Sequence, residues 1–224
     1  AVISPDDIDF AAYLTETDAK QKVKPAADFI GDMLDRMFTS TQERCNHLPW
    51  EKTRDAFQFR PGEVTLWPGI NGHGKSLVTG MVSLSLMGQR EKVCIASFEM
   101  KPYKTLERMS RQWIALPPAR RGDQPELIDQ YRDTVRQFGD WTDGKLWLYD
   151  QQGTVTQEKI VAVVRYCAKE LGIKHMFVDS LMKCVKGEDD YNGQKFIIDE
   201  FCSIAKDHDM HIHVIHHIKK LSDE

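Results

Sequence analysis

An apolar run, EVTLW at 63–67, leads through Pro68 into GINGHGKS at 69–76, and a helical pattern, KSLVTGMVSLSLMG, follows directly at 75–88. Strand, glycine-rich turn and helix in immediate succession leave a chain few choices of fold. The turn has to lie at the C-terminal edge of a sheet, with the helix returning across the sheet's face. Glycines at 69, 72 and 74 let main-chain N–H groups converge where a Cβ would block approach. The helix beginning near Lys75 adds the partial positive charge of its first turn. The stretch matches G-x-x-x-x-G-K-[ST] in full, and the chemistry that needs such residues is phosphate binding. Gly69, Asn71, Gly72, His73 and Gly74 are expected to form the cradle. The Lys75 ammonium would reach the β- and γ-phosphates of ATP or another nucleoside triphosphate, and the Ser76 hydroxyl would bind Mg²⁺. The helical reading places Val78, Met81, Val82 and Leu86 on one face.

The rest of the chain alternates in the same way. Strands are expected at 63–67, 92–98, 146–150, 175–179 and 210–216, with helices at 75–88, about 103–116, 155–171 and about 193–208. Several of these strands are near-continuous apolar runs, which suits a parallel sheet covered on both faces. The fold class is therefore α/β: a P-loop core with a mainly parallel sheet and helices on either side. A preceding stretch, KPAADFIGDMLDRMF, puts Phe29, Ile30, Met33, Leu34 and Met37 at helical spacing and predicts an amphipathic helix over 24–38.

Binding a phosphate is not hydrolysing one. In-line transfer needs an acid to orient Mg²⁺, a base for the attacking water and a positive or polar group near the γ-phosphate. Asp179 closes the apolar strand HMFVD, where the alternative is a turn aspartate. Glu99 follows CIASF, where the alternative is a helix-cap glutamate; beside the loop it would take a proton from water. The stretch HIHVIHH carries histidines at 211, 213, 216 and 217, with Asp207 and Asp209 upstream. A strand sends neighbouring side chains to opposite faces, so these read as strand-filling imidazoles rather than a metal cage. One histidine at the strand's end is expected to contact the γ-phosphate.

Charge limits the partners. The net charge is −4 and the pI about 6.1, so contact with nucleic acid has to come from a few local cations. Five cysteines without a CxxC pair read as reduced thiols. No stretch approaches the apolar length of a membrane span, and the first residues are too acidic for a signal peptide. A soluble, cytoplasmic protein is expected. The absence of an initial Met suggests a processed or excised product.

GINGHGKS, SFEM…TLERM, MFVDS and HVIHHIKK, in this order, resemble the hexameric DnaB-type replicative helicases, above all the helicase half of bacteriophage primase–helicases. The likeness covers about residues 50–224. It implies a RecA-like core, six subunits in a ring around single-stranded DNA, ATP between neighbours and 5′→3′ translocation. By position it makes Lys75 and Ser76 the phosphate and Mg²⁺ residues, Glu99 the catalytic base and Asp179 the second Mg²⁺-directed acid. His217 becomes the γ-phosphate sensor. Lys183 and Lys186 fall where the family has one DNA-facing loop, and Lys219 and Lys220 fall at the second. Residues 1–23 resemble the tail of a primase-type region and 24–49 a linker. Helix 24–38 would then pack on an adjacent subunit, the alternative being its own domain, and primase activity is expected on the same parent chain. The family's trans-acting arginine would lie beyond Glu224, and no Arg follows Arg165. Such a finger contributes about 10³–10⁵ in rate, so weak hydrolysis by this piece alone is expected. A RecA-like recombination ATPase and a nucleotide-gated assembly module without turnover are the competing readings.

Overall fold

The computed structural model describes residues 2–3, 8, 25–38, 45–187 and 190–218. In chain order the strands are β1 (Val2–Ile3), β2 (Asn46–His47), β3 (Gln58–Phe59), β4 (Val64–Gly69), β5 (Val93–Ser97), β6 (Leu146–Tyr149), β7 (His175–Asp179) and β8 (His211–His217). The helices are α1 (Ile30–Phe38), α2 (Lys75–Gly88), α3 (Pro102–Ile114), α4 (Pro125–Thr142), α5 (Gln157–Lys169) and α6 (Tyr191–His208). Six strands form one sheet in the order β1-β6-β5-β7-β8-β4, and every neighbouring pair is parallel. β2 and β3 make a separate antiparallel ribbon.

The α/β expectation holds, with helices on both faces. β5 and β7 are buried along their whole length, which is why VCIAS and HMFVD read as near-continuous apolar runs, broken only by Ser97, His175 and Asp179. Alternate residues serve two cores. Cys94, Ala96, Met176, Val178, Ile212 and Val214 pack with α5 and α6. Val93, Ile95, Phe177 and Ile215 pack with α2, Met109 of α3 and Phe138 of α4. Local chemistry sets the helix starts: Thr156 accepts from the Lys159 N–H, Asp190 accepts from the Gly193 N–H, and α3 and α4 each begin with proline.

Two differences from the sequence reading stand out, in α4 and α2. α4 was not expected, although Ile128, Tyr131, Phe138 and Trp141 turn inward at helical spacing. In α2 the inward face is Thr79, Val82, Ser83 and Leu86, whereas Val78 and Met81 are partly exposed beside Leu77. That helix is apolar nearly all round, so periodicity could not choose its buried side. Phe29, in the 3₁₀ turn before α1, and Ile30, Met33, Leu34 and Met37 of α1 are 43–67% exposed among the described residues.

On the α2 side of the sheet a layer of histidines lies beneath the apolar layer. The Trp67 indole N–H donates to His213 Nδ1 (3.3 Å), which leaves His213 Nε2 to donate to His175 Nδ1 (3.1 Å). His175 Nε2 in turn donates to Asn46 Oδ1 (2.9 Å). His211 donates through Nδ1 to the Arg60 carbonyl (2.7 Å) and accepts the Thr65 hydroxyl at Nε2 (2.8 Å). Each imidazole is thereby satisfied as the neutral form. The strand-filling reading of 211 and 213 is what the structure shows. All five cysteines are free thiols, and among the described residues no helix is long and apolar enough to cross a membrane.

Candidate functional site

The sheet order decides which strand ends meet. β8 runs between β4 and β7, so Gly69 pairs with His217 and Asp179 with Ile215, while Ser97 of β5 lies opposite Asp179. The C-terminal ends of four strands thus open onto one edge, with Glu99 two residues past β5. After β4 the chain turns through 70–74 into α2. Gly72 and Gly74 have φ of +82° and +78°, a region L side chains rarely adopt. Gly69 is needed for a different reason: a Cβ there would lie 2.9 Å from Lys75 Cδ, which crosses directly over it.

Lys75 spans this turn. Its Nζ donates to the carbonyls of Gly69 (2.6 Å) and Ile70 (2.8 Å), so the ammonium is held inside the loop. The N–H groups of Gly74, Lys75 and Ser76 make no backbone hydrogen bond, as expected of a helix start. Asn71 and His73 sit exposed at the loop's tip.

Ser76, at the second position of α2, donates its hydroxyl to Asp179 Oδ2 (2.9 Å). Asp179 is buried, and its Oδ1 has no partner. Burial raises its carboxyl above the usual range, and the charge of Glu99 adds to this; the Ser76 hydrogen bond, His217 and Lys75 pull the other way. Glu99 Oε1 lies 3.2 Å from His217 Nε2. The Phe98 N–H donates to the Asp179 carbonyl (2.8 Å), and the Ile218 N–H to the Gly69 carbonyl (3.2 Å), so the turns after β5 and β8 are tied to their neighbours.

Lys75, Ser76, Glu99, Asp179 and His217 are therefore brought together. A hydroxyl and a carboxylate at hydrogen-bond distance, with a second carboxylate oxygen unpaired, form an all-oxygen donor set suited to a hard cation such as Mg²⁺. A cation that takes its remaining ligands from phosphate and water needs no larger protein cage. Among the described residues no three His, Cys, Asp or Glu side chains gather as one.

Lys183 and Lys186 lie on the segment following β7 at the same sheet edge. Lys186 is exposed and Lys183 half-buried in a 3₁₀ turn, Leu181–Lys183. The Lys186 N–H is held by Asp190 Oδ2 (3.2 Å), which fixes the segment to the start of α6. Lys219 and Lys220 lie outside the described residues. Two site residues escaped sequence reading: Ser97, opposite Asp179, and Thr105, buried on α3. Ser97 was within reach, since it ends the strand VCIAS as Asp179 ends HMFVD; Thr105 carries no such signal. No protein-family model matches the chain.

Proposed function

We propose that this chain is the ATPase core of a ring-forming DNA helicase of the DnaB type, working on single-stranded DNA. The observation that carries the nucleotide part is the pairing of Ser76 with Asp179 beside a helix start whose N–H groups are unbonded. A carboxylate is seldom buried at such a place without a cation to meet. The helicase part rests on the order of the four motifs in the sequence.

In this reading the free N–H groups of the loop and α2 donate to the phosphate oxygens, and Lys75 leaves the Gly69 and Ile70 carbonyls to pair with the β- and γ-phosphates. Ser76 and Asp179 would hold Mg²⁺, which when bound neutralises phosphate charge in the transition state. Glu99 orients a water and takes its proton as the water oxygen bonds to the γ-phosphorus and the bond to the bridging oxygen breaks. His217 holds the Glu99 carboxylate until the γ-phosphate competes for the imidazole, so nucleotide state is felt at the end of β8. Lys183, Lys186, Lys219 and Lys220 would grip DNA phosphates without reading bases.

The test is calorimetric titration with Mg·ATP together with turnover in the presence of single-stranded DNA. Lys75→Ala is expected to abolish nucleotide binding. Glu99→Gln, made in the full-length parent protein, is expected to keep binding and to lose about 10²-fold or more in turnover. Unchanged binding by Lys75→Ala would remove the phosphate role of the loop. Unchanged turnover by Glu99→Gln would leave an assembly module in which ATP acts only as glue.

A further inference from the structure

We infer that the crevice between α2 and α3 holds one ordered water that ties the Thr105 hydroxyl to Asp179, making Thr105 a positioning residue for that carboxylate. The crevice is lined by Ser76, Ser97, Thr105, Arg108, Phe177 and Asp179 among others, and its volume is about 20 Å³. That exceeds the roughly 10–15 Å³ one water requires and is far below what a substrate would need.

Two buried polar atoms on its wall have no partner, Asp179 Oδ1 and Thr105 Oγ1. The Thr105 case is unusual within this protein. Thr79, Ser83, Ser110, Thr134 and Thr142 all donate their hydroxyls back to a carbonyl of their own helix. Thr105, equally helical and 6% exposed, does not. Its hydroxyl proton is left for something in the crevice.

Ser97 supplies a further contact. It stands opposite Asp179 on the same sheet face, and its Oγ accepts the Met100 N–H (3.3 Å), so its own proton is free to donate. A water at this point accepts from Ser97 and Thr105 and donates to Asp179 Oδ1, the two to four partners a buried water takes. With Ser76 on Oδ2 and this water on Oδ1, the carboxylate is held at both oxygens. Outer partners of this kind orient a metal-binding group.

The water follows from the unpartnered atoms and volume of the crevice, whereas its effect on Mg²⁺ rests on the function proposed above. A crystal structure of the nucleotide-free chain that resolves ordered solvent is expected to show a water within hydrogen-bond distance of Asp179 Oδ1 and Thr105 Oγ1. A dry crevice, or a direct Asp179–Thr105 bond, overturns the inference. In a second measurement, the Mg²⁺ concentration that half-saturates nucleotide binding is compared across variants. Thr105→Val is expected to raise it roughly 10-fold or more, Thr105→Ser to restore it, and binding without Mg²⁺ to stay unchanged. Equal Mg²⁺ dependence in wild type and Thr105→Val defeats the positioning role. A wild type with no Mg²⁺-dependent nucleotide binding at all defeats the proposed function instead, and leaves the crystallographic test of the water standing.

Discussion

Asp179 shows how a single residue is placed against its own solvation. Because burial raises its carboxyl, the folded protein holds that proton more tightly than the unfolded chain does. The stability linked to this group is therefore greatest at low pH and falls as pH rises through the raised value, so the ionised form is a net cost at neutral pH. Asp179→Asn removes the charge and keeps an acceptor for Ser76. It is expected to raise the melting temperature of the nucleotide-free protein by roughly 2–4 °C, the shift that about 1 kcal/mol produces in a chain of this size. The same variant is expected to lose Mg²⁺-dependent nucleotide binding by calorimetry. A lowered melting temperature would show that the carboxylate stabilises the fold, and that its cost had been misjudged.

At the scale of elements, β4, β7 and β8 are joined by the imidazole layer as well as by their ladders. His175 is pushed down to about 3 by burial, then by His211 and Lys174. His213 is lowered by burial and both neighbouring imidazoles; His211 is lowered by burial, with Arg60 and Glu63 opposing. A proton added to His213 Nδ1 would face the Trp67 N–H, donor against donor. The unfolded chain takes up these protons below about pH 6.5, whereas the folded one resists. Stability is thus complete above that pH and declines as pH falls toward the folded values. Urea midpoints measured between pH 7.5 and 5.5, above the carboxylate range, are expected to fall with decreasing pH; a flat profile would mean that the layer titrates normally. This layer also marks the limit of what the sequence discloses. The five main strands and five of the six α-helices were legible because continuous apolar runs, helical spacing and glycine punctuation are local signals, and Lys75, Ser76, Glu99 and Asp179 were legible because they lie at or just past the ends of those elements. The partners of the histidines were not: Asn46 and Trp67 reach them only after the sheet order is set. The β2–β3 ribbon, two residues a side, is too short for alternation to register, and α4 shows only a partly buried stripe.

For the molecule as a whole, the described residues leave one apolar face of α1 exposed. Phe29, Ile30, Met33, Leu34 and Met37 present a continuous apolar stripe on a helix that the described core does not cover. In the proposed ring this stripe meets a neighbouring subunit, and Met33→Ser with Leu34→Ser is expected to reduce the assembled mass by light scattering while leaving the melting temperature of the monomer within about 1–2 °C, as for surface changes. Unchanged assembly would assign the stripe to another surface. The placing of β8 between β4 and β7 bears on how the chain is made. The last strand to leave the ribosome among those described is the one that joins the sheet's two parts, so β4 and the β5–β6–β7 group have no common neighbour until residues 211–217 emerge. Until then two strand margins stay unpaired, and nascent chains stalled before His211 should be the species most prone to clump.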